Sequence, residues 1–168
     1  MRKIILYVAS SLDGFIAGKD DDLSWLFTNE GYGFDEFFKG IDTILTGRKT
    51  YEISLKLEPS FFIDKEVIVF SHSMNIQINN IKTISNNIPE YVKNLKMQDG
   101  KDIWLLGGGE ITTLLVENNL VDEMLIFIHP ILVGEGSPLF KNISEYKKLN
   151  FVNLKSYKNG LLEVHYKF

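Results

Sequence analysis

Cysteine is absent from the 168 residues, so neither a disulfide framework nor a thiolate metal site can be built. Histidine is scarce. His72, His129 and His165 stand far apart in the sequence, and no metal site is expected from them. Long apolar runs are also missing, none approaching the roughly 20 residues that a bilayer span requires. The N-terminal Met1–Ser10 has the basic-then-apolar order of a secretory signal, but its apolar run covers only Ile4 to Ala9. No small-x-small cleavage site follows, and charged Asp13 and Lys19–Asp22 come soon after, so the segment reads as a first strand. These absences predict a soluble, cytoplasmic chain with no membrane partner. An excess of positive charge is lacking too. The formal net charge of −4 argues against nucleic acid as a partner, while a local basic cluster can still hold a small phosphorylated ligand. With 45% hydrophobic residues, the chain has enough apolar material for one globular domain over residues 1–168.

What is present is concentrated at Leu105-Leu106-Gly107-Gly108-Gly109-Glu110-Ile111, an apolar strand running through three glycines into a helix. Glycines let a backbone turn sharply and approach a ligand, and the free N–H groups of the following helix favour an anion. The helix is read from Ile111, Leu114 and Leu115, with Thr112, Thr113, Glu117 and Asn118 as its polar positions. A tight strand-to-helix turn with no ligand is the alternative. The common dinucleotide fingerprint is not met, because its third glycine would fall at Thr112.

Strands and helices alternate along the chain. Phe34, Phe37, Phe38 and Ile41 fall at i, i+3, i+4 and i+7, the spacing of one helical face. Thr43–Thr46, Glu66–Phe70, Asp102–Leu106 and Met124–Ile128 read as strands, and Gly47–Glu52 opens a short helix. Pro89 suits a first helical turn, with Tyr91, Val92 and Leu95 facing inward. Ser11–Gly18 and His129–Phe140 read as loops, and Asn75–Asn87 as a loop or edge strand. Asn159-Gly160 is the signature of a two-residue hairpin turn before an alternating final strand. The pattern predicts an α/β fold in three layers, with a mainly parallel central sheet and an antiparallel C-terminal hairpin.

Val8–Gly14, Asp42–Glu52, Leu106–Glu110 and Pro130–Phe140 occur in the order found in the dihydrofolate-reductase superfamily. Across nearly the whole chain the sequence resembles that superfamily. Its Leu12-Asp13-Gly14 loop and its Pro-Ile-Leu-Val-Gly-Glu-Gly-Ser-Pro-Leu-Phe segment resemble more closely the reductase domain of bacterial riboflavin biosynthesis and its stand-alone relatives.

The resemblance implies NADPH as cofactor, bound across the open end of the sheet. Gly47, Arg48, Lys49 and Thr50 would grip its phosphates, the arginine as a fork of donors and the lysine as a mobile charge. Ser71 and His72 would flank the adenosine 2′-phosphate. Gly108, Gly109 and Glu110 would cover the pyrophosphate, Gly107 and Ile111 would also adjoin the cofactor, and the loop from Ala9 to Ala17, Ile16 included, would lie over the nicotinamide. Plainer readings stand beside these. Arg48 and Lys49 also suit a solvated helix start, His72 a turn, Asp13 a loop brace, and Trp25 and Trp104 a core or pocket wall.

A reductase of this kind also needs a proton, usually from a carboxyl group in a partly apolar pocket. The candidates are Asp35 beside the phenylalanine face, Glu30, and Asp13, the last ranked first for substrate contact. Two positions depart from the riboflavin pattern: Phe15 where a basic residue is usual, and Leu106 where glutamate is usual. Both weaken the case for the phosphoribosylaminouracil substrate. The expected activity is an NADPH-dependent reduction of a small heterocyclic or carbonyl compound, akin to 5-amino-6-(5-phosphoribosylamino)uracil reductase. Alternatives are dihydrofolate reductase proper, a non-catalytic NADPH-binding regulatory module, and a flavin-binding protein. A homodimer formed through the sheet edge is expected by the same resemblance, with His129–Phe140 as the candidate contact region.

Overall fold

A computed structural model describes residues 1–27 and 31–168. In chain order the elements are β1 (Ile4–Ser11), β2 (Phe15–Gly18), a 3-10 turn (Lys19–Asp21), α1 (Phe34–Lys39), β3 (Ile41–Gly47) and α2 (Arg48–Leu57). A second 3-10 turn (Pro59–Phe62), β4 (Glu66–Phe70), β5 (Gln77–Ile78), β6 (Ile81–Ile84) and α3 (Ile88–Lys96) follow. The chain continues through β7 (Asp102–Gly107), α4 (Gly109–Glu117), β8 (Glu123–His129), β9 (Gly136–Pro138), β10 (Asn150–Ser156) and β11 (Leu162–Lys167).

Nine strands form one sheet in the order β10-β11-β8-β1-β7-β3-β4-β6-β5. The run from β8 to β6 is parallel, and antiparallel pairs close both edges. Helices cover both faces, which is why the central strands are apolar on both sides. On one face Ile4, Leu6, Leu45, Ile68, Ile103 and Leu105 pack against Val92 and Leu95 of α3 and Ile111 and Leu115 of α4. On the other, Ile44, Val67, Val69 and Trp104 pack against Tyr51 of α2, Phe62, and the phenylalanines of α1. The three-layer, mainly parallel fold with a C-terminal hairpin is thus the fold that the sequence pattern predicts.

Four local expectations change. The helix that begins at Phe34 stops at Gly40, whose N–H bonds to the Phe37 carbonyl at 2.9 Å, so Ile41 is the first residue of β3 instead of a fourth helical position. Ile41 still joins the same core cluster, which is why the spacing looked helical. The hairpin turn runs over Tyr157–Leu161, longer than two residues. Gly160, at φ +89°, donates to the Tyr157 carbonyl and Tyr157 to the Leu161 carbonyl, the type I turn and glycine bulge of a longer loop. The two segments read as loops contain β2 and β9, which pair antiparallel with each other. Thr112 and Thr113, read as polar positions, are buried. α4 lies between the sheet and the segment after β9, and Thr113 Oγ1 accepts from the Lys141 N–H at 2.7 Å.

At the N-terminal ends of the strands Arg2 is buried and bound to Asp42, Thr43 Oγ1 and the Lys101 carbonyl. Lys96 is likewise buried, donating to Asp122 at 2.6 Å. Pairing of this kind is what makes buried charge tolerable. The opposite end of the sheet is open.

Candidate active site

The site arises where neighbouring connections leave the sheet in opposite directions. From β3 the chain passes through α2 to β4, away from β7. From β7, adjacent to β3, it passes through α4 to β8, beyond β1. A crevice at the carboxyl ends of two such strands is the usual ligand site of an open α/β sheet. Here it is a cavity of about 890 Å³, at the upper end of the range for small-molecule pockets.

At one end of the cavity the N-termini of α2 and α4 lie side by side. A Cβ built on Gly108 would sit 3.1 Å from Thr50 Oγ1 and 3.8 Å from the Gly47 Cα. Neither helix is capped by a side chain, so their first-turn amides keep the positive end of each helix available to an anion. Three cations surround them, each held by a carboxylate: Arg48 by Glu52 at 2.9 Å, Lys49 by Asp21 at 2.6 Å, and Lys141 by Glu110 at 2.8 Å. The Lys141 bond holds the Glu110 carboxyl below the usual glutamate range. Ser71, just beyond β4, accepts from the N–H groups of Ser73 and Met74, which fixes the turn that exposes His72 beside the cavity.

The glycines divide their work in a way the sequence did not show. Gly108 adopts φ +96°, a conformation that favours glycine, and it lines the cavity. Gly109 is required by the protein's own packing, because a Cβ there would lie 2.3 Å from the Pro138 carbonyl oxygen. Gly107 is not on the cavity wall. The other thirteen residues expected around the cofactor, from Ala9 to Ile111, all line this one cavity.

The carboxylates expected to act as acids are placed differently. Asp13 points to the far side of its loop, where it accepts from Ser11 Oγ at 2.6 Å, Val133 N at 3.0 Å and Gly134 N at 2.7 Å. These bonds, the serine foremost, lower its pKa to about 2. It is therefore an ionised brace that sews the β1–β2 loop to the segment before β9, assisted by Leu12 N to Ile131 O and Leu139 N to Gly14 O. Asp35 is exposed on α1 and is not on the wall, because its helical neighbour Phe34 takes the inward direction. Glu30 lies outside the described residues. Among the described residues the only carboxylates on the wall are Asp21 and Glu110, both paired with lysines beside the starts of α2 and α4.

The other end of the cavity is aromatic, and sequence reading largely missed it. Tyr7, Phe34, Phe61 and Trp104 line it, with ring centroids 5.1 Å apart for Phe34–Phe61, 5.4 Å for Phe34–Trp104 and 5.7 Å for Tyr7–Phe34. Leu106, packed in the same cluster, extends the surface. The polar atoms of these rings are engaged elsewhere. Trp104 Nε1 donates to the Tyr7 carbonyl at 3.0 Å, and the Tyr7 hydroxyl donates to the Tyr32 carbonyl at 3.2 Å. Burial pushes the Tyr7 phenol well above its ordinary pKa, so it stays neutral. Behind this wall His129 donates from Nδ1 to the Phe127 carbonyl and accepts at Nε2 from the Phe27 N–H. Burial lowers its pKa, consistent with a neutral ring.

An open-ended α/β sheet with paired helix N-termini at one end of its cavity and an aromatic wall at the other has the dihydrofolate-reductase-like architecture. The family model for the RibD C-terminal domain matches residues 2–162, and the chain belongs to that family. It is 37% identical to the uncharacterized protein YyaP of Bacillus subtilis (strain 168), covering 98% of this chain and 94% of that one. Among solved structures it resembles a Shewanella sp. PV-4 protein named "Putative riboflavin biosynthesis protein", with a TM-score of 0.86, 25% identity and 98% of both chains covered. It also shares its fold with a diaminohydroxyphosphoribosylaminopyrimidine deaminase/5-amino-6-(5-phosphoribosylamino)uracil reductase from Thermotoga maritima. That match has a TM-score of 0.75 and 18% identity, covering 99% of this chain and 56% of the other. No helix among the described residues is long and apolar enough to cross a membrane.

Proposed function

We propose that the protein is an NADPH-dependent reductase of a small heterocyclic or carbonyl compound. One observation carries the reading: a single cavity joins the uncapped N-termini of α2 and α4, with their basic side chains, to a wall of aromatic rings. The residues fit the cofactor. First-turn amides at Gly109 and Thr50 would meet the pyrophosphate, Arg48 and Lys49 its charge, and Ser71 and His72 the 2′-phosphate that separates NADPH from NADH. Ala9, Ile16 and Ala17 would bound the nicotinamide.

When bound, the reduced nicotinamide supplies a hydride to an electrophilic carbon of the acceptor, leaving NADP+, while a proton from solvent completes the reduced product. This chain's part is to hold and orient the two ligands. The rings of Tyr7, Phe34 and Trp104 would hold the acceptor, and the neutral phenol of Tyr7 would add no charge. A cofactor-binding module without turnover would need the phosphate end alone, so the aromatic end favours an enzyme.

Calorimetry with NADPH and NADH, followed by NADPH consumption over a panel of heteroaromatic and carbonyl compounds, tests the reading. Micromolar binding of NADPH, weaker binding of NADH, and turnover with at least one acceptor are expected. No heat with NADPH overturns it.

Self-association is part of the proposal. The edge strand β10 exposes Phe151, Val152 and Leu154 beside an open ladder, a surface suited to a second copy. Light scattering should report a dimer, and Leu154→Lys should yield monomer.

A further inference from the structure

The basic side chains on the cavity wall cluster at the starts of α2 and α4 and just beyond β4. Arg48 and Lys49 stand at the start of α2, Lys141 pairs with the first turn of α4, and His72 follows β4. No described Lys, Arg or His lines the cavity apart from these four. The aromatic end holds Tyr7, Phe34, Phe61 and Trp104 with Leu106, and its phenol and indole N–H are already donated to backbone carbonyls. A phosphate placed there would lose its hydration and gain no cation in return, a cost that binding cannot recover. A flat uncharged ring would instead gain stacking against several faces and give up only apolar hydration.

From this arrangement we infer that the acceptor is a planar, uncharged aromatic or heteroaromatic carbonyl compound that carries no phosphate. The inference rests on the reductase reading, because a dinucleotide occupying the anion-binding end is what leaves only the aromatic wall for the second ligand. The substrate in the name of the Thermotoga maritima protein is phosphorylated, so the two proteins would share a fold and differ in what this wall accepts.

The test uses the full chain carrying Trp25→Phe, which leaves Trp104 as the single indole reporter; Trp25 is not on the cavity wall. With NADP+ in place, which permits binding without turnover, isatin, uridine and uridine monophosphate are titrated by calorimetry and by Trp104 emission. Isatin should bind saturably and quench Trp104, and the monophosphate should bind no more tightly than uridine. Phe34→Ala should weaken isatin about tenfold. Because Phe34 also packs in the core, Leu106→Lys, at a partly exposed wall position packed with the same rings, serves as a second variant, expected to weaken isatin and to give the monophosphate an advantage over uridine. Tighter binding of the monophosphate than of uridine to the Trp25→Phe chain, or no response to isatin, overturns the inference. If NADP+ itself gives no heat, the cofactor reading fails separately. The same three titrations of the unliganded chain then still decide, through Trp104 emission, whether this wall prefers an uncharged ring.

Discussion

Lys49 Nζ lies 2.6 Å from Asp21 Oδ1, joining the first turn of α2 to the 3-10 turn that follows β2 across the mouth of the cavity. An entering phosphate competes with Asp21 for the lysine. Asp21→Asn should therefore tighten NADPH about two- to fivefold, the worth of an exposed ion pair. Calorimetry at two salt concentrations checks this, and the gain should shrink as salt screens the pair.

On the proposed reading, Arg48 would offer a planar fork to the cofactor phosphates once it releases Glu52. Arg48→Ala should weaken NADPH at least about tenfold, the scale of a hydrogen bond to a charged group. His72→Ala should reduce NADPH affinity while leaving NADH unchanged, since only the former carries the 2′-phosphate. Equal losses for both dinucleotides would move His72 away from that group.

Gly109→Ala places a methyl group on the Pro138 carbonyl, where only 2.3 Å separates them. Overpacking against rigid backbone should cost about 2 kcal/mol and lower Tm by about 6 °C, read by calorimetric melting. Cofactor affinity should fall as well, because β9 must shift away from the start of α4.

Asp13 should behave as a brace. Its folded pKa of about 2 lies below its ordinary 3.8, so its stabilising effect is complete above that ordinary value and is lost as pH falls toward 2. Relative to the intrinsic exchange rate at each pH, protection of the Val133 and Gly134 amides should fall over that interval in the native chain, and Asp13→Asn should remove the pH dependence of that protection. Turnover at neutral pH should survive in Asp13→Asn at a reduced level. Asp35→Asn, altered on an exposed helix face, should stay within about twofold of the native rate. Abolition of turnover by either change would restore a proton-donating role.

The legible parts of the site are those written in contiguous residues. Gly47 followed by Arg48-Lys49-Thr50, and Gly107 followed by Gly108-Gly109-Glu110, each mark a strand turning into a helix, and such a turn carries the uncapped first-turn amides of the helix with it. The carboxylates were not legible in the same way. Asp35 adjoins Phe34 in sequence, yet successive helical side chains diverge by about 100°, so the neighbour of an inward residue faces out. Asp13 sits in the loop that approaches the cavity, but three donors on the opposite side turn its carboxylate away.

By itself the sequence determined the alternation of strands and helices, the two glycine-marked turns and the family, because backbone preference and hydrophobic period belong to neighbouring residues. Only the tertiary structure decided that Tyr7, Phe34, Phe61 and Trp104 share one wall. The parallel register that sets Ile5 opposite Trp104, and helices leaving β3 and β7 in opposite directions, bring together side chains that no local rule connects. Fold class follows from local chemistry repeated along the chain, whereas the face a ligand meets depends on crossovers between distant segments.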